Sequence, residues 1–170
     1  WIRMTFTNEP SALGTIKKIM LDSREIAVNY MTPLGIHHIM YSGHHYGPGP
    51  WVDRGRSDWT SVYYHRADTL GIGFDRTTKG SDAVSQYFRP VKEMYENLKT
   101  CPENLLLWFH HLPWDYRLAS GRTLWDEICL RYVGGVNSVK RLQSEWEKTK
   151  DVVDKERFEE VSTLLVKQSR

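Results

Sequence analysis

Apolar side chains recur every three or four residues in three stretches of the chain, the spacing that places them on one face of an α-helix. The first stretch follows Asn8 and Pro10, which suit the start of a helix, and predicts a helix from about residue 9 to residue 31. The second begins at Thr123 and predicts the longest helix, reaching about residue 150. The third begins after Asp154, a suitable N-cap. The pattern therefore predicts a mainly α-helical domain.

The same spacing predicts which residues of the last two helices are buried. For the helix beginning at Thr123 they are Trp125, Ile128, Tyr132, Val136, Val139, Leu142 and Trp146. For the last helix they are Phe158, Val161, Leu164 and Leu165. Gly134 and Gly135 interrupt the longest helix, where a glycine is less favourable than alanine by about 1 kcal/mol. We therefore expect another helix to approach closely at these two positions.

The middle of the chain, residues 32–80, has almost no helical spacing and is rich in glycine and proline. Only one or two short strands are expected there, near residues 60–65 and 71–74. A segment of that length without regular structure in a compact domain usually serves a function or is disordered. Its many aromatic residues argue against disorder.

Two further segments separate this region from the longest helix. Ser81 can cap a helix that reaches about Leu98, and Pro90 within it predicts a kink or two abutting helices. The apolar run 105–112 fits either a buried strand or a helical turn, and we favour the strand. The predicted fold class is therefore mainly α with minor β (α+β), with a long irregular loop rich in aromatic residues, glycine and proline.

Charge and composition limit the partners of the chain. The formal net charge is only +2, which gives no strong field for nucleic acid or an anionic membrane. No apolar run approaches the roughly 20 residues that span a bilayer. Cys101 and Cys129 form no CxxC motif and no disulfide framework, so a reducing compartment is expected. Both ends of the chain interrupt an amphipathic element, and we therefore expect a piece of a larger protein.

Metal and nucleophile chemistry have weak support. The seven histidines stand largely in adjacent pairs, whose side chains point in different directions, and no HExxH motif is present. No metal is predicted, and histidines bonded to backbone or carboxylate groups are expected instead. Ser120 lacks the GxSxG elbow, and both cysteines are expected to be inert packing residues.

Loop carboxylates and arginines remain open to two interpretations. The carboxylates could act in acid–base chemistry, or they could be solvated or paired with arginine; they are Asp53, Asp58, Asp68, Asp75 and Asp115. Arg54 could bind an anionic ligand or tie loops together, whereas a structural role is favoured for Arg122.

The "GPGPW" motif, residues 47–51, is the most informative element of the irregular region. Alternating glycine and proline fix a turn-rich backbone with few free donors, and Trp51 follows directly. A rigid loop that presents an aromatic ring suits stacking on the face of a sugar. Burial of Trp51 in the core of its own loop explains the motif equally well.

Several long segments, taken together, point to a known family. The succession of "VNYMTPLGIHHIM", "HHYGPGPW", "RSDWTSVYYHRAD", "GIGFDRT", "AVSQY", "TCPENLLLWFHHLPWDY" and "SGRTLWDEIC" closely resembles the C-terminal region of the family 67 glycoside hydrolases, the microbial α-glucuronidases. The similarity covers essentially the whole chain. It implies that residues 1–170 are a fragment of a helical C-terminal domain, normally packed on a (β/α)8 barrel that follows an N-terminal sandwich-like domain.

The resemblance also implies an activity. Members of this family release glucuronic acid or its 4-O-methyl ether, α-1,2-linked to the non-reducing terminal xylose of xylo-oligosaccharides, with inversion of the anomeric centre. Their catalytic carboxylates lie in the barrel, so no catalytic residue is assigned here and the fragment alone is expected to be inactive. No metal and no other cofactor is expected. Many bacterial members act inside the cell, which favours a cytoplasmic location over secretion.

The implied partners are a glucuronic-acid-substituted xylo-oligosaccharide, the enzyme's own barrel and a second copy in a homodimer. The C-terminal domain is expected to wall the xylose side of the substrate pocket. By position in the motif, Trp51 is the predicted stacking residue, Trp59 is the alternative ring, and His45, Tyr46 and Arg54 are predicted polar contacts. Two other classes of function are a stand-alone carbohydrate-binding or scaffold module and a metallohydrolase built on the histidines.

Overall fold

The structure is a computed structural model that describes residues 1–36 and 67–169. The chain divides into two units, the first formed by Trp1–Tyr30 with Tyr132–Arg170 and the second by Met31–Arg131. The described ranges contain six α-helices and a two-stranded sheet: α1 (Ile2–Thr5), α2 (Pro10–Met31), β1 (Gly71–Ile72), α3 (Val91–Glu96), α4 (Leu106–Phe109), β2 (Leu112–Pro113), α5 (Leu124–Glu147) and α6 (Lys155–Gln168). The predicted fold class, mainly α with minor β, is confirmed for these residues, as are the three long helices.

A single apolar core holds the first unit together. It joins α2, α5, α6 and the turn before α6 through Ile16, Ile26, Val139, Leu142, Trp146, Val153, Phe158 and Leu165. The Trp146 ring stacks on Phe158 with centroids 5.8 Å apart and meets the edge of Phe6 at 5.7 Å. Its indole N–H donates to the carbonyl oxygen of Phe158 at 3.2 Å, so this large side chain is buried with its polar atom satisfied.

The two glycines of α5 have different surroundings. A Cβ on Gly135 would lie 2.8 Å from the amide nitrogen of Tyr30, so the end of α2 passes close to α5 at this point. Gly134 has open space where its Cβ would be. The predicted close approach is therefore confirmed at Gly135 and wrong at Gly134.

Three predicted core residues of the long helices are exposed instead: Trp125, Val136 and Leu164. Helical spacing identifies an apolar stripe but does not fix its width, and single apolar side chains are common on protein surfaces. The ring of Trp125 meets the edge of Trp114 at 5.4 Å.

The start of α6 follows the prediction closely. The amide of Arg157 donates to Oδ1 of Asp154 at 3.1 Å, and the Arg157 guanidinium donates to Oδ2 at 2.9 Å. These hydrogen bonds lower the pKa of Asp154. Asp154 is therefore the N-cap of α6.

The second unit contains the sheet, in which β1 and β2 are antiparallel with Gly71 opposite Pro113 and Ile72 opposite Leu112. The strand expected at 71–74 is confirmed for Gly71–Ile72. The strand favoured for 105–112 is wrong for Leu106–Phe109, which forms α4 after a 3-10 turn at Glu103–Leu105. Leu106, Leu107 and Phe109 are all buried, and so short an apolar run lacks the periodicity that would separate helix from strand.

The segment between Ser81 and Leu98 forms two short helical pieces, as the position of Pro90 predicts. They are a 3-10 turn at Ala83–Gln86 and the helix α3. The predicted cap at Ser81 is wrong, because Asp82 directly precedes the turn and the amide of Ser81 donates to the carbonyl oxygen of Asp75 at 3.0 Å. The strand expected at 60–65 lies outside the described residues.

Within residues 1–36 and 67–169, no helix is both long and apolar enough to cross a lipid bilayer.

Candidate functional site

An open cavity of about 540 Å³ lies in the second unit. This volume is within the range of small-molecule sites. Its lining residues come from the segment around β1 and from the residue before β2: Asp68, Gly73, Phe74, Asp75, Ser81 and His111. The cavity therefore brings together two of the carboxylates and one of the histidines that the sequence offered as candidates.

The glycines of "GIG" allow the two sides of the cavity to approach. A Cβ on Gly71 would lie 2.0 Å from the carbonyl oxygen of Leu112, and one on Gly73 would lie 2.2 Å from that of His110. Gly73 also has a φ of +107°, which residues other than glycine rarely adopt. The backbone around β1 therefore lies directly against the segment that carries His111.

The ring of His111 is fixed by a hydrogen bond to the backbone. Its Nδ1 lies 2.9 Å from the carbonyl oxygen of Gly73. Because a carbonyl only accepts, Nδ1 carries the proton, and in the neutral ring Nε2 then offers a lone pair. Nε2 lies 4.0 Å from Oδ1 of Asp68, too far for a direct hydrogen bond.

Asp68 is fixed at both its side chain and its backbone. Its Oδ1 accepts hydrogen bonds from the amides of Gly71 at 2.9 Å and Leu70 at 2.7 Å. These two amides lower the pKa of Asp68 because they stabilise the carboxylate, Gly71 having the larger effect. The indole N–H of Trp114 donates to the Asp68 carbonyl oxygen at 2.8 Å. Asp68 is thus held as an ionised hydrogen-bond acceptor.

Asp75 closes the loop on the other side of the cavity. Its Oδ1 accepts from the amide of Thr77 at 2.9 Å and from the Thr77 hydroxyl at 2.7 Å, while its carbonyl oxygen accepts from the amide of Ser81. A Cβ on Gly80 would lie 2.2 Å from that carbonyl oxygen, so the loop is tight. These contacts turn the backbone so that Asp75 and Ser81 line the same space.

An arginine supports the wall behind Phe74. The Arg76 guanidinium lies 4.5 Å from the centroid of the Phe74 ring and 4.0 Å from that of Trp108, and it donates to the Trp108 carbonyl oxygen. Such cation–π contacts are favourable when partly shielded from water. The arrangement holds the Phe74 ring in place at the edge of the cavity.

A second polar cluster in this unit surrounds Glu127, which is buried. Its carboxylate accepts from Arg122 at 2.7 Å, Arg131 at 2.9 Å and Ser120 at 3.1 Å. Arg131 also reaches Glu103 at 2.6 Å. Burial opposes ionisation of Glu127, but the three hydrogen bonds together lower its pKa below the usual range. The cluster ties the loop before α5 to the helix, which confirms the structural role favoured for Arg122.

The other histidine of the pair and the two cysteines do not line the cavity. Nε2 of His110 lies 2.9 Å from the carbonyl oxygen of Tyr95, and burial lowers the pKa of this histidine. The contacts of His110 and His111 confirm the expected backbone-bonded histidines. Burial raises the pKa of Cys101 to about 11, which fits an inert thiol. Cys129 is exposed, so the prediction of a packing role is wrong there: it lies on the outer side of α5.

The described residues contain no group of three or more histidine, cysteine, aspartate or glutamate side chains that could hold a metal ion.

The five predicted substrate contacts lie in the segment 37–66, outside the described residues. They are Trp51, His45, Tyr46, Arg54 and Trp59. Their roles stay predictions.

Sequence reasoning considered Asp68, Asp75 and His111 separately but did not bring them together. The "DTLG" sequence at residues 68–71 is a local signal for a turn closed by an aspartate side chain. The pairing of β1 with β2, which connects residues about 40 positions apart, has no comparable local signal.

Comparison with known proteins identifies the family of the chain. The model for "Glycosyl hydrolase family 67 C-terminus" matches residues 1–170. Probable alpha-glucuronidase A of Aspergillus clavatus is 39% identical over 175 residues, covering 99% of this chain and 20% of that protein. Its counterpart in Aspergillus fumigatus is 38% identical over 175 residues, with the same coverage of both proteins.

A third relative is similar to the same extent. Alpha-glucuronidase A of Emericella nidulans is 38% identical over 174 residues, again covering 99% of this chain and 20% of the relative. The chain thus spans about one fifth of the length of these relatives. Since the family model matches the whole chain, the chain belongs to the C-terminal domain family of the family 67 glycosyl hydrolases.

Proposed function

We propose that this chain is the C-terminal part of an inverting α-1,2-glucuronidase that releases glucuronic acid or its 4-O-methyl ether from xylo-oligosaccharides. The observation that carries the proposal is the similarity of 99% of the chain to alpha-glucuronidase A, at 39% identity. The catalytic acid and base lie outside this chain, in a (β/α)8 barrel on which it packs. The chain itself completes the substrate pocket.

The proposal is tested on the full-length protein with aldouronic acids, xylo-oligosaccharides that carry a single α-1,2-linked uronic acid. Release of the uronic acid, with proton NMR showing the β-anomer as the first product, is the expected result. Absence of release would favour the stand-alone carbohydrate-binding or scaffold module. The metallohydrolase alternative requires stoichiometric metal in the purified protein.

Trp51 is proposed to stack on a xylose ring of the substrate. In the full-length enzyme, Trp51→Ala is expected to lower kcat/KM on aldouronic acids about tenfold, which corresponds to about 1.4 kcal/mol of transition-state binding. Thermal unfolding is measured in parallel and is expected not to change. Trp59→Ala is the matched variant, because Trp59 is the alternative ring. Normal kinetics with a lower Tm would make Trp51 a packing residue of its own loop.

A homodimer is also proposed, and α5 offers a surface that fits it. Val133 and Val136, one turn apart in the first unit, are 60% and 40% exposed. A contiguous exposed apolar patch marks an interaction surface, and the proposal is that these two valines belong to such a patch. A charged side chain introduced among such residues is expected to weaken the association of two copies.

Val133→Glu is therefore expected to shift the full-length protein from dimer to monomer in sedimentation velocity at micromolar concentration. Val166→Glu introduces the same change at a valine of α6 that is 42% exposed, and it should leave the dimer intact. A dimer that survives Val133→Glu would place the contact on another surface.

The location of the enzyme is a separate proposal. The sparse cysteines favour a reducing compartment, the bacterial cytoplasm, whereas the relatives named above come from fungi. Fractionation of the source cells, followed by detection of the protein, decides between cytoplasm and secretion.

A further inference from the structure

The cavity at Asp68 and His111 offers hydrogen-bond acceptors and negative charge. Two carboxylates line it, and the neutral form of His111 adds the lone pair of Nε2. Ser81 contributes a hydroxyl that donates or accepts. Among the described residues that line the cavity there is no lysine or arginine.

A complementary ligand must therefore bring donors and must not bring an anion. A uronate or phosphate group would face Asp68 and Asp75 at close range and would be repelled. A neutral sugar carries neighbouring hydroxyl groups, each of which donates one hydrogen bond. Because the chain belongs to a glycosyl hydrolase family, a neutral sugar is also the ligand chemistry that its enzymes meet.

The spacing of the acceptors favours a pair of hydroxyls. Nε2 of His111 and Oδ1 of Asp68 are 4.0 Å apart, too far to bond to each other directly. Both atoms accept, and one hydroxyl has only one proton, so a single hydroxyl cannot donate to both of them. Oδ1 of Asp68 already accepts from two amides, so Oδ2 is the oxygen left for a ligand. Two adjacent hydroxyls of one ring can donate, one to Oδ2 of Asp68 and the other to Nε2 of His111.

The acceptors are also held in place before a ligand arrives. Asp68 is anchored by the amides of Leu70 and Gly71, and His111 by the carbonyl oxygen of Gly73. Side chains that are already ordered lose little conformational entropy on binding. Phe74 adds an apolar surface at the cavity edge for the C–H face of a sugar.

We propose that this cavity is a subsite for a neutral pyranose, a xylose unit of the oligosaccharide, in which Asp68 and His111 each accept a hydrogen bond from adjacent hydroxyls. The uronic acid is bound elsewhere. This inference rests on the proposed function for the identity of the sugar. It assigns the contacts to residues other than Trp51 and its neighbours.

The test uses the full-length protein and measures xylotriose binding by isothermal titration calorimetry, with glucuronate alone as a second probe. Asp68→Asn removes the charge, while the Asn side-chain oxygen still accepts from the amides of Leu70 and Gly71. His111→Asn can still donate to the carbonyl oxygen of Gly73 but has nothing in place of Nε2. Asp115→Asn is the matched control, since Asp115 is exposed and does not line the cavity.

Each cavity variant is expected to weaken xylotriose binding about tenfold, the factor for one well-formed hydrogen bond. Glucuronate binding should not change in any variant. His111→Gln, whose longer side chain reaches the position of Nε2, should recover part of the affinity, which a purely structural role of His111 does not predict. The Asp115 variant should bind as the wild type does.

The possible outcomes distinguish a failure of the subsite proposal from a failure of the proposed function. Xylotriose affinity that is the same in wild type, Asp68→Asn and His111→Asn overturns the subsite even when uronic acid is released normally. Wild-type protein that does not bind xylotriose overturns it as well. A protein that binds xylotriose through Asp68 and His111 but releases no uronic acid supports the subsite and contradicts the α-glucuronidase proposal. A loss of glucuronate affinity in Asp68→Asn would instead place the uronic acid in this cavity.

Discussion

Glu127→Ala is expected to destabilise the second unit by about 3 kcal/mol, the low end of the range for breaking a buried ion pair. Glu127 is only 4% exposed and its carboxylate joins Arg122, Arg131 and Ser120. Its removal leaves two guanidinium groups without their shared counter-charge. The low end applies because the Arg122 side chain is 46% exposed and water can solvate it in the variant.

The measurement is hydrogen–deuterium exchange of the amides in the first two turns of α5, read by mass spectrometry, together with urea unfolding. Glu93→Ala serves as the control because Glu93 pairs with Arg89 at 3.1 Å at the surface, with side chains 62% and 82% exposed. An exposed pair of this kind contributes at most about 1 kcal/mol. Equal losses for the two variants would show that the Glu127 cluster is not a stabilising element.

The same carboxylate predicts a pH dependence. The pKa of Glu127 is lowered in the folded chain relative to about 4.3 for an unperturbed glutamate. A carboxyl group with a lowered folded pKa stabilises the fold above its unfolded pKa, and this contribution declines as the pH falls through the folded pKa. Wild-type stability should therefore drop below about pH 4.3, and Glu127→Gln should show a shallower drop.

The long helices were accessible from sequence because their information is local. The N-cap at Asp154 and the apolar spacing of α5 each lie within one element, so neither depends on the rest of the chain. The prediction of a strand at 105–112 failed because a short apolar run lacks such local information. Three of the four residues in 106–109 are buried, and a uniformly apolar run fits helix and strand equally well.

The residues that meet in the cavity could not be predicted from the sequence either. Asp68 and His111 become neighbours only through the β1–β2 pairing and through the absence of a side chain at Gly71 and Gly73. The presence of an aspartate and a histidine in the sequence does not by itself predict that the two side chains are neighbours. The resemblance to family 67 identified the chain correctly, yet it directed attention to Trp51 rather than to this cavity. The two proposed sets of sugar-binding residues do not overlap, so they can be tested separately.

Gly73→Ala is expected to have the largest effect on the cavity, because it acts on stability and on the position of His111 together. The new Cβ would lie 2.2 Å from the carbonyl oxygen of His110 and 3.1 Å from a methyl group of Leu107, so backbone must move. The φ of +107° adds strain for any residue with a side chain. A destabilisation of at least about 3 kcal/mol is expected from strain and displaced backbone combined.

Gly121→Ala separates the effect of backbone strain from the effect of the collision with neighbouring backbone. Gly121 has a φ of +80° and open space where its Cβ would be, so alanine there meets strain without a collision. It should destabilise the chain by only about 1–2 kcal/mol. If Gly73→Ala were no worse than Gly121→Ala in urea unfolding, the close approach of β1 to the His110–His111 segment would be refuted. In any Gly73→Ala protein that remains folded, the carbonyl oxygen that orients His111 is displaced, and xylotriose binding should fall with it.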